Sequence, residues 1–368
     1  MGKKPDSFFL QELRFTHFRN YHQLGISLSP GLNIIIGSNA QGKTNLLEGI
    51  HLLSTTKPLK GSFDHEVILQ GKASTKLEAL LYPHQTKLNI QLELQKPKKL
   101  TLNGLITKKT SEFLGRLPTV CFKSSDLTLI QGDPSSRRLF LDLQISQTDP
   151  AYFRHLSYYK HALIQRNALL KLQNPECQKE QLESWEQILA SHGSAIRKLR
   201  KSFIEEIHQH SARIHEDLSC NECLSLAYLT KDPGTTENLL KEELLRSRKQ
   251  DFLLKTTTKG PHRDDFSIEI DKKSARNYSS QGQQRTALLS IKFGVLSVMK
   301  SILGTTPVLL LDDIFSDLDQ TRRQKLTQKI SEEAGQVVIT CTEKEQAGNV
   351  LTESSKIFQV TNGTIQLL

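Results

Sequence analysis

The chain has 368 residues, 37% of them hydrophobic and 24% charged, which supplies a packed core and excludes wholesale disorder. Lys and Arg outnumber Asp and Glu by 49 to 39, and the sequence pI of about 9.2 points to a nucleic-acid partner, with a merely solvated basic surface as the plainer reading. No apolar run approaches the roughly 18 residues of a membrane span, and Met1-Gly2-Lys3-Lys4-Pro5-Asp6 leads into strand-like sequence with no apolar leader, so neither membrane insertion nor secretion is expected.

Along the chain, Phe8 to Phe15 and residues 24–28 alternate like strands. Leu32-Asn33-Ile34-Ile35-Ile36 is almost wholly apolar, as a strand buried on both faces must be. A Gly-rich turn follows, then a helix from Thr44 to Leu53 with Leu46, Leu47, Ile50 and Leu53 on one face. Residues 65–107 read as short antiparallel strands, with Asn103-Gly104 as a hairpin turn. The basic excess concentrates in residues 57–123, which hold twelve Lys/Arg against five Asp/Glu.

Pro150 opens a helix in which Tyr152, Leu156, Tyr159, Leu163 and Leu170 form a seam. A polar loop at Asn174-Pro175 leads to a second helix near Ser184, with Trp185, Ile188, Ile196, Leu199, Phe203, Ile207, Ile214 and Leu218 as its apolar positions. Two such helices predict an antiparallel hairpin, an α-helical lobe inserted into the core. Arg197-Lys198-Leu199-Arg200-Lys201 on the second helix reads as a solvated outer face, with DNA-backbone contact as the alternative. Beyond residue 255 the pattern returns to α/β. It has a strand at Phe266–Ile270, a helix from Gln283 to Ile302, buried strands at Val308–Leu311 and Gln336–Ile339, and a final hairpin turned at Asn362-Gly363. Cys121, Cys177, Cys220, Cys223 and Cys341 make no disulfide framework and read as cysteines of a reducing compartment. Cys220-Asn-Glu-Cys223, with His208, His210 and His215 upstream, raises zinc, but no second Cys-x-x-Cys completes a site.

Gly37-Ser38-Asn39-Ala40-Gln41-Gly42-Lys43-Thr44 fits G-x-x-x-x-G-K-[ST] between a buried strand and an amphipathic helix. Backbone N–H groups and the helix N-terminus would cradle phosphates there, Lys43 would reach the β- and γ-phosphates, and Thr44 would ligate Mg²⁺. Val308-Leu309-Leu310-Leu311-Asp312-Asp313 delivers two carboxylates at the end of a buried strand. Asp312 is placed to hold Mg²⁺, and Asp313 to orient or deprotonate the attacking water. Tyr278-Ser279-Ser280-Gln281-Gly282-Gln283-Gln284-Arg285 before a helix is a second phosphate-binding device. One phosphate chain cannot easily use both devices within one subunit.

Together the three motifs resemble the ABC-type ATPase superfamily, in the branch that includes SMC proteins, and within it the RecF family. The similar residues span nearly the whole chain. They include Phe18-Arg19-Asn20-Tyr21, the P-loop through Glu48, Arg137-Arg138-x-Phe140-Leu141-Asp142, Gly260-Pro261-His262-Arg263-Asp264-Asp265, Ser280 to Arg285, and Leu311-Asp312-Asp313 with Ser316-Asp317-Leu318-Asp319. The resemblance implies that Ser280, Gly282 and Gln283 form a signature motif contacting the γ-phosphate held by a second subunit. It also implies that Ser316, Asp317, Leu318 and Asp319 form the D-loop at that interface, that ATP drives a homodimer, and that Arg19 approaches the nucleotide. The implied partners are duplex DNA, gapped DNA and single-strand/duplex junctions, with RecR and RecO, in loading RecA during recombinational repair. Asp313 stands where the superfamily usually has glutamate, which fits slow turnover. Thr340 or Thr342 stands near the usual switch histidine, no clear Q-loop is present, and Lys57-Pro-Leu-Lys60 replaces an arginine-containing stretch.

The expected architecture is an α/β ABC-type ATPase head with a mixed or antiparallel β subdomain and an inserted α-helical lobe. Residues 1–145 would be the first part of the ATPase lobe, 146–254 the helical lobe and 255–368 the second part. The expected protein is cytoplasmic and nucleoid-associated. Alternatives are an SMC-like structural DNA tether, or an ABC-type ATPase in which ATP controls only partner assembly. A long SMC arm does not fit an insert of about a hundred residues folded back on itself, at ~1.5 Å per residue. A transporter ATPase does not account for the family-specific runs, and a GTPase would need an Asn-Lys-x-Asp motif that this chain lacks.

Overall fold

A computed structural model describes residues 8–59, 63–172, 179–219, 222–232, 234–315, 320–343 and 355–368. The strands begin with β1 (Phe9–Phe18), β2 (Tyr21–Ser27), β3 (Leu32–Ile36), β4 (Ser74–Tyr82), β5 (Thr86–Glu93), β6 (Lys99–Leu102), β7 (Leu105–Ile106) and β8 (Thr119–Lys123). They continue with β9 (Leu224–Leu229), β10 (Asp265–Ile270), β11 (Lys273–Ser274), β12 (Val308–Asp312), β13 (Val337–Cys341), β14 (Lys356–Thr361) and β15 (Thr364–Leu367). The helices are α1 (Lys43–Thr55), α2 (Thr110–Phe113), α3 (Thr128–Gln131), α4 (Pro134–Thr148), α5 (Pro150–Leu172), α6 (Lys179–Leu218), α7 (Glu237–Leu254), α8 (Ala275–Tyr278), α9 (Gln281–Leu303) and α10 (Gln320–Glu333).

Two compact units divide the chain, Met1–Asp126 with Val295–Leu368, and Leu127–Gly294. These divisions fall at 126/127 and 294/295, whereas the sequence pattern set the helical lobe at 146–254. Sheet pairing is one reason: β9, inside the expected helical lobe, pairs antiparallel along its length with β10, beyond it.

The first unit holds two six-stranded sheets. One runs β2-β1-β4-β5-β6-β7, all antiparallel, and turns at Asn103-Gly104 where Leu102 faces Leu105. The other runs β15-β14-β3-β13-β12-β8, parallel except for β15. The central parallel strands β3, β13 and β12 are mostly apolar and almost wholly buried, as strands covered on both faces must be, while β14 towards the edge is partly exposed. Leu10, Leu13, Phe15, Ile35, Leu46, Leu310 and Val338 belong to one core that joins the sheets. Gln336, only 1% exposed, stitches them together: its amide donates to Leu10 O and Ser29 O, both at 2.8 Å, and its oxygen accepts from Leu10 N–H at 2.8 Å.

In the second unit α5 and α6 pack as the expected hairpin, with Tyr152, Leu156, Tyr159, Leu170, Ile196, Phe203, Ile207, Ile214 and Leu218 buried as expected and a local shift elsewhere in the seam. Ala162 and Arg166 are buried where Leu163 was expected, and Leu182, Glu186 and Leu189 where Trp185 and Ile188 were expected. Charge explains the shift. Arg166, fully buried, donates to Glu186 (3.0 Å), Asp251 (2.8 Å) and Thr257 (2.9 Å), so polar groups occupy seam positions that an apolar pattern cannot reveal.

The run Arg197–Lys201 is corrected on the same ground. Arg197 and Arg200 are 3% and 2% exposed and face inward; only Lys198 and Lys201 are exposed. Arg197 clasps Asp264 (2.7 and 2.8 Å) and Asp232 (2.7 and 2.9 Å), and Arg200 holds Asp142 (2.7 Å) and the Pro261 carbonyl (2.8 Å). Arg137 makes a two-pronged pair with Asp265 (2.7 and 2.9 Å). The family-specific runs Arg137–Asp142 and Gly260–Asp265 therefore form an internal ionic lattice.

Among the described residues one helix, α9, is long and apolar enough by composition to cross a membrane, with a mean hydropathy of 1.5 over an 18-residue window, although no membrane span was expected. That window is 72% buried inside the protein, as in a core helix.

Candidate nucleotide-binding site

Residues 37–42 connect β3 to α1, whose first residue is Lys43. Gly42 has φ 120°, and a Cβ there would fall 2.5 Å from the Asn20 amide, so only glycine suits the position. The loop is braced from outside. Asn20 donates to Gln41 O (2.8 Å) and accepts from Asn45 (2.8 Å), and the buried Tyr21 hydroxyl donates to Gly42 O (2.9 Å). The Asn362 and Gly363 N–H groups donate to the Gln41 side chain (2.6 Å) and backbone (3.2 Å). Sequence reading saw Asn362-Gly363 only as a hairpin turn; its local pattern carries no sign of this second task.

Lys43 is 7% exposed, and its ammonium donates to Gly37 O (2.5 Å) and Ser38 O (2.9 Å). Burial lowers its pKa, while the Asp313 and Asp312 carboxylates pull it back up. Thr44 donates towards Asp312, 2.9 Å from Oδ1 and 3.0 Å from Oδ2. Asp313 follows with φ 51°, a left-handed turn off the end of β12. A cleft of about 260 Å³ gathers Asn39, Ala40, Gly42, Lys43, Thr44, Asn45, Asp312 and Asp313. A larger hollow, about 410 Å³, lies against β4 and β5 and is lined by Glu12, Arg14, Glu78 and Lys87 among others. It lacks a phosphate-binding loop, so chemistry and not size selects the site. Cys341 adjoins the cleft, and burial pushes its thiol up to about 12, which makes it a poor nucleophile.

The structure thus brings Gly37, Ser38, Asn39, Ala40, Gln41, Gly42, Lys43 and Thr44 into one neighbourhood with Asp312 and Asp313. Arg19 precedes the loop-bracing Asn20. It takes φ 51° between β1 and β2, clasps Glu48 on α1 (2.9 and 2.7 Å), and donates to Glu66 O (2.7 Å).

In the second unit, Ser280 sits exposed before α9. Its N–H donates to the Gln283 side chain (2.7 Å), and its hydroxyl accepts from Gln283 N–H (3.2 Å), a reciprocal capping box. Gln283 also donates to Glu222 (2.8 Å), and Gln284 anchors the turn through the Ala275 carbonyl (2.8 Å). Gly282 lies in the first turn of α9. Ser316, Asp317, Leu318 and Asp319 lie outside the described residues, as does Cys220. Among the described residues no group of three or more His, Cys, Asp or Glu could hold a metal ion.

A P-loop on a parallel sheet, paired carboxylates on β12 one strand removed from the P-loop strand β3, and a capped serine–glycine helix start define the ABC-type ATPase head of the SMC branch. The RecF/RecN/SMC N-terminal domain model matches residues 9–366. The chain belongs to the RecF family of DNA replication and repair proteins. It is 38% identical to the DNA replication and repair protein RecF of Lachnospira eligens over 362 residues, 97% of this chain and 98% of that one. With RecF of Streptococcus pyogenes serotype M49 the identity is 36% over 366 residues, 98% of each. A solved recombination mediator protein RecF with ATPrS, in the RecFOR pathway, matches at TM-score 0.89 and 34% identity, covering 100% of both chains. RecF with ATP matches at 0.88 and 34%, covering 98% of this chain and 99% of that one. An Smc head bound to the C-winged helix domain of ScpA, at 0.57 and 16%, shares the fold.

Proposed function

We propose that this protein is an ATP-gated DNA-binding protein of recombinational repair and replication restart, and a slow ATPase. The observation that carries this reading is the convergence of Lys43, Thr44, Asp312 and Asp313 in one cleft, in a chain 34% identical to an ATP-bound RecF over nearly its whole length. The donor set fits Mg²⁺: a threonine hydroxyl and a carboxylate are hard oxygen ligands, and they already lie within 3.0 Å of each other. When bound, Mg²⁺ would neutralise charge developing on the phosphates. Thr44 and Asp312 would hold it. Lys43 would leave the Gly37 and Ser38 carbonyls for the β- and γ-phosphates, and Asp313 would orient the attacking water.

Ser280, Gly282 and Gln283 would contact the γ-phosphate of a second copy, with Ser316 to Asp319 at that interface, so that ATP closes a homodimer around DNA. The exposed lysines Lys72, Lys87, Lys96, Lys99, Lys108 and Lys109 suit backbone contact with duplex, gapped or single-strand/duplex junction DNA. RecR and RecO would be its partners in loading RecA, in the cytoplasm at the nucleoid.

The test is fluorescence anisotropy of labelled gapped duplex, titrated with protein with and without ATP and Mg²⁺. Tighter binding with ATP, lost in Ser280→Arg, is expected. Equal affinity in both conditions would overturn ATP gating and favour an ATPase in which the nucleotide controls only partner assembly.

A further inference from the structure

Thr340 lies on β13 directly opposite Asp312 of β12 in the parallel register, and it is 1% exposed. Its hydroxyl donates to Asp312 Oδ1 (2.9 Å) and accepts the Asp313 backbone N–H (2.9 Å). A hydroxyl has a single proton to give. With that proton on Asp312, Thr340 has none for a phosphate oxygen, so in this arrangement it does not sense the γ-phosphate.

Its geometry serves another end. Asp312 is gripped from two sides, by Thr44 from α1 and by Thr340 from the neighbouring strand. The same hydroxyl anchors the N–H of Asp313, whose φ of 51° is a conformation that non-glycine residues rarely adopt. A single side chain therefore sets both the rotation of the carboxylate placed for the cation and the turn that directs the next carboxylate.

We propose that Thr340 is a positioning residue for the acidic pair, acting on cation binding through Asp312 and on turnover through Asp313. The inference rests on the ATPase reading of the cleft. Valine at 340 would keep the volume and remove both hydrogen bonds; serine would keep both.

The test compares wild type, Thr340→Val and Thr340→Ser in three measurements. These are affinity for a fluorescent ATP analogue in EDTA, Mn²⁺ affinity of the ADP complex by electron paramagnetic resonance, and ATP turnover. In Thr340→Val the nucleotide affinity in EDTA should stay within about twofold, while Mn²⁺ affinity and kcat each fall about tenfold, the size of effect one lost buried hydrogen bond produces. Thr340→Ser should recover both. Wild-type Mn²⁺ affinity and kcat in Thr340→Val would overturn the inference and leave the ATPase reading standing. So would a loss of nucleotide affinity in EDTA equal to the loss of Mn²⁺ affinity, because that pattern marks general damage to the cleft. If wild type itself neither binds the analogue nor turns over ATP, the underlying reading fails instead. Should Thr340→Val not fold, Thr340→Ala, which also lacks the hydroxyl, is read by the same criteria.

Discussion

Thr44 and Asp312 are 268 residues apart in the chain and 2.9 Å apart in space. Both were legible beforehand, because a P-loop and a strand ending in paired aspartates are local patterns with one shared chemistry. The buried arginines were not legible. Arg197 sits in a run of basic residues that reads as surface, and only its distant partners Asp232 and Asp264 make burial possible. Arg197→Ala should therefore destabilise the protein by about 3–5 kcal/mol, because it strands two buried carboxylates; urea unfolding measures this. His262 supplies a pH test. Its Nε2 lies 2.9 Å from the Thr257 carbonyl, which can only accept, so Nε2 carries the proton and Nδ1 accepts from the Tyr159 hydroxyl (2.6 Å). Burial pushes its pKa down to about 4 from 6.5. Between those values the unfolded chain takes up a proton that the folded protein refuses, so this contribution is complete above pH 6.5 and shrinks as pH falls towards 4. Stability should drop by about 2–3 kcal/mol between pH 7 and 4.5 from this group, and His262→Gln should flatten that part of the profile in urea melts.

At the scale of elements, periodicity located α1, α5, α6 and α9 and the buried strands β3, β12 and β13 but passed over α4, α7, α10 and β8, and Asn-Gly pairs located two hairpins. Periodicity found most of the α5–α6 seam but missed its polar stretch, since an inward Arg166–Glu186 pair interrupts an apolar pattern without breaking the helix. The last hairpin has a task that its own residues do not announce. Its Asn362-Gly363 turn holds the P-loop through Gln41. Gly363 has φ 73°, and a Cβ there would collide with the Asn20 carbonyl. Gly363→Ala should cost more than about 1 kcal/mol in stability and weaken nucleotide binding, because it displaces the brace and leaves Lys43 and Thr44 themselves unchanged. Calorimetric titration with an ATP analogue, beside a thermal melt, separates the two effects.

For the whole molecule, the net charge of +10 bears on partner and solubility, not on fold. If DNA is gripped through its backbone, affinity should fall steeply and linearly on a log–log plot against salt, with little dependence on sequence. The proposed cycle predicts opposite oligomeric outcomes for two substitutions in one cleft. Lys43→Ala should abolish ATP binding and remain monomeric. Asp313→Asn should bind ATP and accumulate dimers, because closure precedes hydrolysis. Light scattering in saturating ATP distinguishes them, and a monomeric Asp313→Asn would contradict the clamp.

The amino-acid sequence by itself determined the class of fold and which motifs meet in the cleft. A phosphate loop, a buried acidic strand and a capped helix start are each encoded within a few consecutive residues, where backbone geometry and residue type suffice. Tertiary structure alone decided which charges face inward and what holds the motifs in place. The Arg197–Asp264 clasp, the Gln41–Asn362 brace and the Thr340 hydroxyl between two aspartates all join residues remote in sequence. A buried charge or hydroxyl is stable only with its partner in hand, and no local pattern names a partner that folding brings from elsewhere in the chain.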